Sequence, residues 1–169
     1  MPPVNTLSSP TTHIEISIAD QTLVLVDSSG QALALYRIST GLDGPGEQNA
    51  SGCTPRGEHY VRAMIGAGLP LNTVFIARRP TGEVYTPELA RAHPSRDWIL
   101  SRILWLCGRE WGRNRGPGVD TFRRFIYIHG TPDTEPMGVA RSHGCIRMRN
   151  QDVADLFERV APGTRVLIL

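Results

Sequence analysis

The chain has 169 residues and a formal net charge of +2, and all 18 of its basic residues are arginine. The absence of lysine excludes a Schiff-base lysine, a Walker-type phosphate lysine and a Ser–Lys nucleophile pair. So small a net charge, with no stripe of interleaved basic and aromatic residues, gives no argument for a nucleic-acid partner, and no run reaches the ~18 apolar residues of a membrane-spanning helix.

This length predicts one domain with a real core. Seventeen glycines and 13 prolines favour many turns between short strands. Residues 1–12 read as a flexible lead-in with neither the basic nor the apolar segment of a secretory signal. From His13 the pattern is β. Ile14, Ile16 and Ile18 alternate with polar residues, and Leu23–Val26 and Ala32–Ile38 flank the turn Asp27-Ser28-Ser29-Gly30 as a hairpin. A Gly-rich loop from Gly41 to Gly57 carries Cys53, and Glu58–Met64 and Thr73–Ala77 read as further strands.

The period then changes. Pro87 suits the first turn of a short helix ended by Pro94, and Ser95 suits the N-cap of a second helix over Arg96–Trp111, whose apolar residues recur at helical spacing. All three tryptophans, Trp98, Trp105 and Trp111, fall in or beside it. Residues 84–118 are therefore expected to be a helical insertion, packed on the sheet or serving as a lid over a groove. Gly112–Gly118 reads as a mobile polar loop. Phe125–His129 is a short strand, Asn150 is placed to cap a helix over Gln151–Val160, and Arg165–Leu169 closes the chain as a strand. The fold class expected is mainly β, a sandwich or mixed sheet with two or three inserted helices.

The chemistry concentrates between His129 and Asn150. A His closes a strand, and Cys145 follows Ser142-His143-Gly144. A thiol attacks an acyl carbon only as thiolate, so it needs a base or an electropositive setting. His129 and His143 are both candidate bases. Gly144 lets the backbone approach a substrate closely, and N–H groups beside it can cradle an oxyanion. Arg141, Arg147 and Arg149 are expected to lower the thiol pKa. Cys53 and Cys107 read as loop or core thiols, since three widely spaced cysteines make no disulfide framework.

The order of these residues resembles the L,D-transpeptidase catalytic domain, the YkuD family. His129-Gly130-Thr131 and Ser142-His143-Gly144-Cys145-Ile146-Arg147 stand where the family has its two motifs. Upstream, Ser39-Thr40-Gly41 and Thr54-Pro55-Arg56-Gly57 also match, so the resemblance covers nearly all of 13–169 as one catalytic domain. It implies that Cys145 is the nucleophile, that His129 is its general base, oriented by the Gly130 carbonyl, and that His143 shapes the turn and polarises the thiol. It also implies an oxyanion hole from the Gly144 and Cys145 N–H groups, and substrate contacts from Arg147, Ser142, Gly130 and Thr131.

The implied reaction is acyl transfer at a peptidoglycan stem tetrapeptide, giving a 3→3 cross-link, with no cofactor and no metal. Carbapenems would acylate the same cysteine. An L,D-carboxypeptidase using water is the alternative within the same chemistry. A metal hydrolase using His129, His143 and Cys145 as ligands, and a non-catalytic envelope-binding module, are alternatives outside it. The family places such a protein in the cell envelope or periplasm. The absent signal makes the cytoplasm the second expectation, and a monomer is expected. Eight of the 18 arginines, against four acids, fall in residues 109–149. Codon usage accounts for Arg in place of Lys but not for that clustering, and fixed guanidinium forks suit a carboxylate-rich stem peptide.

Overall fold

The computed structural model describes residues 12–169, so nearly all of the expected N-terminal lead-in lies outside the described residues. The chain opens with an antiparallel meander, β1 (His13–Ser17), β2 (Thr22–Val26) and β3 (Ala32–Ser39). The β2–β3 turn is held by Asp27, whose carboxylate accepts from the Ser29 and Gln31 N–H groups, and Gly30 supplies its positive φ. β4 (Gly57–Ile65), β7 (Ile99–Gly108), β8 (Tyr127–Thr131), β9 (Ile146–Arg149) and β10 (Arg165–Ile168) complete a sheet that closes on itself. Around the ring the order is β4-β10-β1-β2-β3-β9-β8-β7, and β7 pairs again with β4. β1–β10 and β8–β9 are parallel, and the other pairings in the ring are antiparallel.

A hairpin of β5 (Thr73–Ile76) and β6 (Arg79–Val84) attaches to the start of β7. The short helix α1 (Pro87–Ala92) begins where expected. Thr86 Oγ1 accepts from the Leu89 N–H at its N-cap, and Pro87 fills the first turn. The helix α2 (Asn150–Arg159) lays Val153, Leu156 and Phe157 into a core shared with Ile14, Ile16, Leu23, Leu25, Ile128, Ile146 and Val166. No helix among the described residues is long and apolar enough to cross a membrane. The mainly β architecture is as expected, and its helices number two among the described residues.

The expected helix over Arg96–Trp111 is not there: Ile99–Gly108 is β7, with β4 and β5 along one edge and β8 along the other. Both faces of this strand are covered, so its sequence is nearly continuous apolar residue and carries no strand alternation to set against the helical spacing. Ser95 consequently caps nothing, and α1 is the sole helix in the predicted helical insertion 84–118. β6 and β9 were not anticipated. Arg79–Val84 is polar and exposed, and Ile146–Arg149 is too short to show a period.

Asn150 also differs from expectation. It is the first residue of α2, not its cap, and its side chain is buried. Its Oδ1 accepts from Ser101 Oγ at 2.6 Å, and its Nδ2 donates to the Thr131 carbonyl at 2.8 Å. It thus ties α2 to β7 and β8 where Ser101 takes a φ of 70° at a break in the β7–β8 register. Asn150→Ala leaves two buried partners unsatisfied, and the expected loss is about 2–4 kcal/mol by urea unfolding. Asn150→Ser should be equally damaging; recovery of most of the stability by serine would show a capping role worth only ~1 kcal/mol.

Candidate active site

β8 and β9 run parallel with Ile128 opposite Ile146 and His129 opposite Arg147. Side chains alternate along a strand. Ile128 and Ile146 therefore enter the main core, while Tyr127, His129 and Arg147 face the other way. Cys145 immediately precedes β9 and packs on that same second face, against a cluster of Phe75, Ile103 and Tyr127. Ile103 is the cross-strand partner of His129. The sheet register, and the turn that leads into β9, thus set the imidazole and the thiol on one face of the sheet.

The His129 ring is 2% exposed and its Nδ1 lies 2.6 Å from the Gly130 carbonyl oxygen. A carbonyl only accepts, so Nδ1 carries the proton and Nε2 keeps its lone pair. Burial lowers the pKa of His129 below its ordinary value, and Arg147 adds to the lowering. The ring is therefore neutral at pH 7. Gly130 is required for this arrangement: a Cβ there would stand 2.5 Å from Asn150 Oδ1 and 2.6 Å from the Leu100 carbonyl oxygen.

Cys145 is half-buried and unpaired. Its Sγ accepts from the Tyr127 N–H at 3.3 Å and lies 3.3 Å from the Phe125 carbonyl, to which a protonated thiol donates. Burial pushes its pKa up to about 11, against the lowering by the Tyr127 N–H, Arg147 and Arg124. Of the arginines expected to depress the thiol, Arg147 does so, but the net shift is upward. Arg141 and Arg149 are exposed, and desolvation outweighs what Arg147 supplies. Such a thiol is protonated at rest, and a neutral imidazole with a free Nε2 is the kind of base that can take its proton during attack.

The Ser142–Cys145 turn is internally bonded. Ser142 is buried, its Oγ donates to the Cys145 carbonyl at 2.5 Å and accepts the Gly144 N–H at 3.1 Å. Ser142 therefore has no free hydroxyl for a substrate, and the Gly144 N–H is already engaged. Gly144 takes a φ of 122°, a conformation that favours glycine, and a Cβ there would stand 3.1 Å from the Cys53 carbonyl oxygen. His143 is exposed and its Nδ1 lies 3.9 Å from Asp97 Oδ2. It stands on a ridge between two clefts. One is lined by Asp97, Trp98, Thr131, Glu135 and Arg147; the other by Asn49, Gly52, Arg123, Arg124 and Ile126. Thr131 and Arg147 thus face a cleft, whereas Gly130 serves His129 through its carbonyl. Among the described residues no three His, Cys, Asp or Glu side chains converge as metal ligands, so the set of His129, His143 and Cys145 is not assembled.

Asp97 was missed in the sequence. It is distant along the chain, in a segment read as a helix start. Its carboxylate pairs with Arg147 at 3.2 Å, and its charge raises the pKa of both Cys145 and His129. Arg124 belongs to the arginine cluster of 109–149, but its partners were not legible in the sequence. It donates to the Cys53 carbonyl at 2.6 Å and to the Gly46 carbonyl, stapling the loop 41–57 beside Gly144.

Residues 11–168 match the L,D-transpeptidase catalytic domain family, YkuD, and the chain belongs to that family. The Escherichia coli (strain K12) protein YbiS, which carries the L,D-transpeptidase name, is 51% identical over 104 residues, 61% of this chain and 34% of its own length. The chain thus spans about a third of that relative. An L,D-transpeptidase homologue of Fuscovulum blasticum is 32% identical over 124 residues, covering 68% of this chain and 65% of its own. Among solved structures, Bdellovibrio bacteriovorus Bd1075 superposes with a TM-score of 0.61 at 15% identity, covering 98% of this chain and 50% of its own. L,D-transpeptidase 3 of Mycobacterium tuberculosis, bound to a faropenem-derived adduct, gives 0.58 at 16%, covering 94% and 60%. At such identities these structures attest the shared fold.

The protonated resting thiol has a direct consequence. Iodoacetamide should alkylate Cys145 slowly at pH 7, with a rate that climbs about tenfold per pH unit to beyond pH 10, because only the thiolate reacts. Asp97→Asn removes a charge that raises the thiol pKa and should move the profile to lower pH. Mass spectrometry of the peptide carrying Cys145 reads the rate, and a plateau reached by pH 8 would contradict the assignment.

Proposed function

We propose that this chain is a cysteine-dependent acyltransferase acting on peptidoglycan stem tetrapeptides, with Cys145 as nucleophile and His129 as general base. The observation that carries the reading is the His129 Nδ1–H bond to the Gly130 carbonyl, which leaves Nε2 free on the sheet face against which Cys145 packs, just before the adjacent strand β9. In the first half-reaction Sγ attacks the carbonyl carbon of the third, diamino residue while Nε2 takes the thiol proton. The Cys145 N–H stabilises the developing oxyanion. The tetrahedral intermediate collapses to a thioester, and the amine of the terminal D-Ala leaves with the proton returned by His129. In the second half an amine of a neighbouring stem attacks the thioester. His129 takes that proton and gives it to the departing sulfur, leaving a 3→3 cross-link and the resting thiol.

In this reading Arg147 grips a substrate carboxylate, supported by its position in the lining of the cleft it shares with Thr131 and Trp98. Asp97 already occupies one side of its guanidinium and is 52% exposed, so a bound carboxylate competes with a weak partner. Water as the second nucleophile would make the protein an L,D-carboxypeptidase with the same residues in the same roles. Action on such a substrate places the protein in the cell envelope. The carbapenem class is an expected covalent inhibitor at Cys145, by analogy with the imipenem complex of the L,D-transpeptidase LdtMt1.

Purified protein with disaccharide-tetrapeptide, read by mass spectrometry, tests the proposal. A linked dimer identifies the transpeptidase and loss of D-Ala alone the carboxypeptidase. Cys145→Ala should abolish both, and His129→Ala should lower turnover by about 10²–10⁴-fold, the range of a general base. Equal product from Cys145→Ala, or a carbapenem adduct that survives that substitution, would sink the assignment.

A further inference from the structure

The loop 109–121 follows β7 on the side of the sheet reached from β4. It is locked by Asn114, which is fully buried. Asn114 Nδ2 donates to the Arg56 and Glu58 carbonyls at 3.0 Å, and its Oδ1 accepts the Glu110 N–H at 2.9 Å. The expectation that this Gly-rich stretch is mobile does not match that bonding. The lock displays Trp111, whose side chain is 77% exposed. One face of the indole is backed by Gly116, where a Cβ would sit 3.2–3.3 Å from three ring atoms. The other side is left open to solvent, as a flat platform.

Around this platform lie Arg62, Arg109, Arg115 and Arg123. Among the described residues none of the four makes an ion pair. Of the nearby carboxylates, Asp120, in the same cleft, is engaged by the Gly116 and Arg123 N–H groups at 2.8 and 3.0 Å, and Glu58, whose charge reaches Arg109, is paired with Arg165. These arginines line two adjoining clefts that share Tyr60 and Arg115. The larger contains Trp111 and Arg123, and Arg123 also lines the cleft that reaches His143, two residues from Cys145. One arginine-lined track therefore runs from Gly163, past Trp111, to the edge of the active site.

An exposed, pre-organised indole beside four guanidinium groups without ion-pair partners among the described residues suits a polymer that carries both flat-faced rings and regularly spaced anions. We propose that the track binds the carboxylate-bearing glycopeptide polymer itself, holding repeats that neighbour the stem reacting at Cys145. Sugar rings lie on Trp111, and stem carboxylates meet Arg62, Arg109 and Arg115. This rests on the function proposed above, because continuity with the cleft at His143 is what selects a glycopeptide over other polyanions. A nucleic acid offers similar rings and charges but no acyl group for the thiol to receive.

The test is co-sedimentation of the full chain carrying Cys145→Ala with purified insoluble peptidoglycan. Adding Trp111→Ala and Arg115→Ala together should raise the half-saturation concentration about tenfold, equivalent to about 1.4 kcal/mol. In the protein with Cys145 intact, the same pair should lower turnover of the polymer to a similar extent. It should leave kcat/KM on soluble disaccharide-tetrapeptide unchanged, with an unaltered unfolding midpoint confirming the fold. Unchanged polymer binding in the double variant, or displacement of the protein from peptidoglycan by a single-stranded oligonucleotide at lower concentration than by soluble glycopeptide, would overturn the track. Loss of binding in the double variant, with no activity of the parent on either substrate, would uphold the track as a peptidoglycan site while sinking the transpeptidase reading.

Discussion

The structure of the site depends on one hydrogen bond, from His129 Nδ1 to the Gly130 carbonyl. It joins two neighbouring residues of one strand, so it costs little chain entropy to form. It fixes the tautomer, keeps Nε2 unprotonated and holds the ring without a carboxylate behind it. An orienting carboxylate would raise the imidazole pKa by favouring the charged form; the Gly130 carbonyl also raises it, but burial outweighs that bond and the ring stays neutral. The bond needs the Gly130 peptide in an orientation that leaves no room for a side chain, because Asn150 and Leu100 crowd its α-carbon. Asn150 is held there by Ser101 and Thr131, so the tautomer of one histidine is traced through a buried network to the junction of β7, β8 and α2.

The thiol is governed by the same burial. Sγ sits against apolar and aromatic side chains, with Trp105 stacked on Phe122 at 4.0 Å and edge-on to Tyr127 at 5.7 Å. Desolvation then outweighs the positive charge of Arg147 and Arg124. The resting state is a neutral pair. A neutral thiol is inert toward adventitious electrophiles, and its proton need move only when a carbonyl carbon is in place. The arginines act on the anions of a ligand and on the transition state, and Asp97 tempers Arg147 until a carboxylate arrives.

Much of this was legible in the sequence because the motif residues are consecutive. His129-Gly130-Thr131 and Ser142 to Arg147 stand in short runs whose local geometry follows from strand alternation and from a glycine that needs positive φ. The hairpin at Asp27–Gly30 and the helix after Pro87 were legible for the same reason: their signals are turn and cap residues acting over four or five positions. What failed was long-range. β7 is apolar on both faces because other strands and α2 cover it, and no local pattern distinguishes that from a buried helix. Asp97 reaches the site only through that misassigned segment. The net direction of the thiol pKa was not legible because the arginines show in the sequence and the burial of the sulfur does not. Asn150 has the composition of a cap and the surroundings of a buried junction.

The central claim is a neutral imidazole beside a neutral thiol, with the proton on Nδ1. Nitrogen-15 NMR of the protein labelled in its histidine rings reads that state directly, with His129 assigned by substitution. At pH 7 the account predicts a protonated Nδ1 and an unprotonated, pyridine-type Nε2, unchanged by Cys145→Ala. Two protonated ring nitrogens that collapse to one when Cys145 is removed would show a thiolate–imidazolium pair and contradict it.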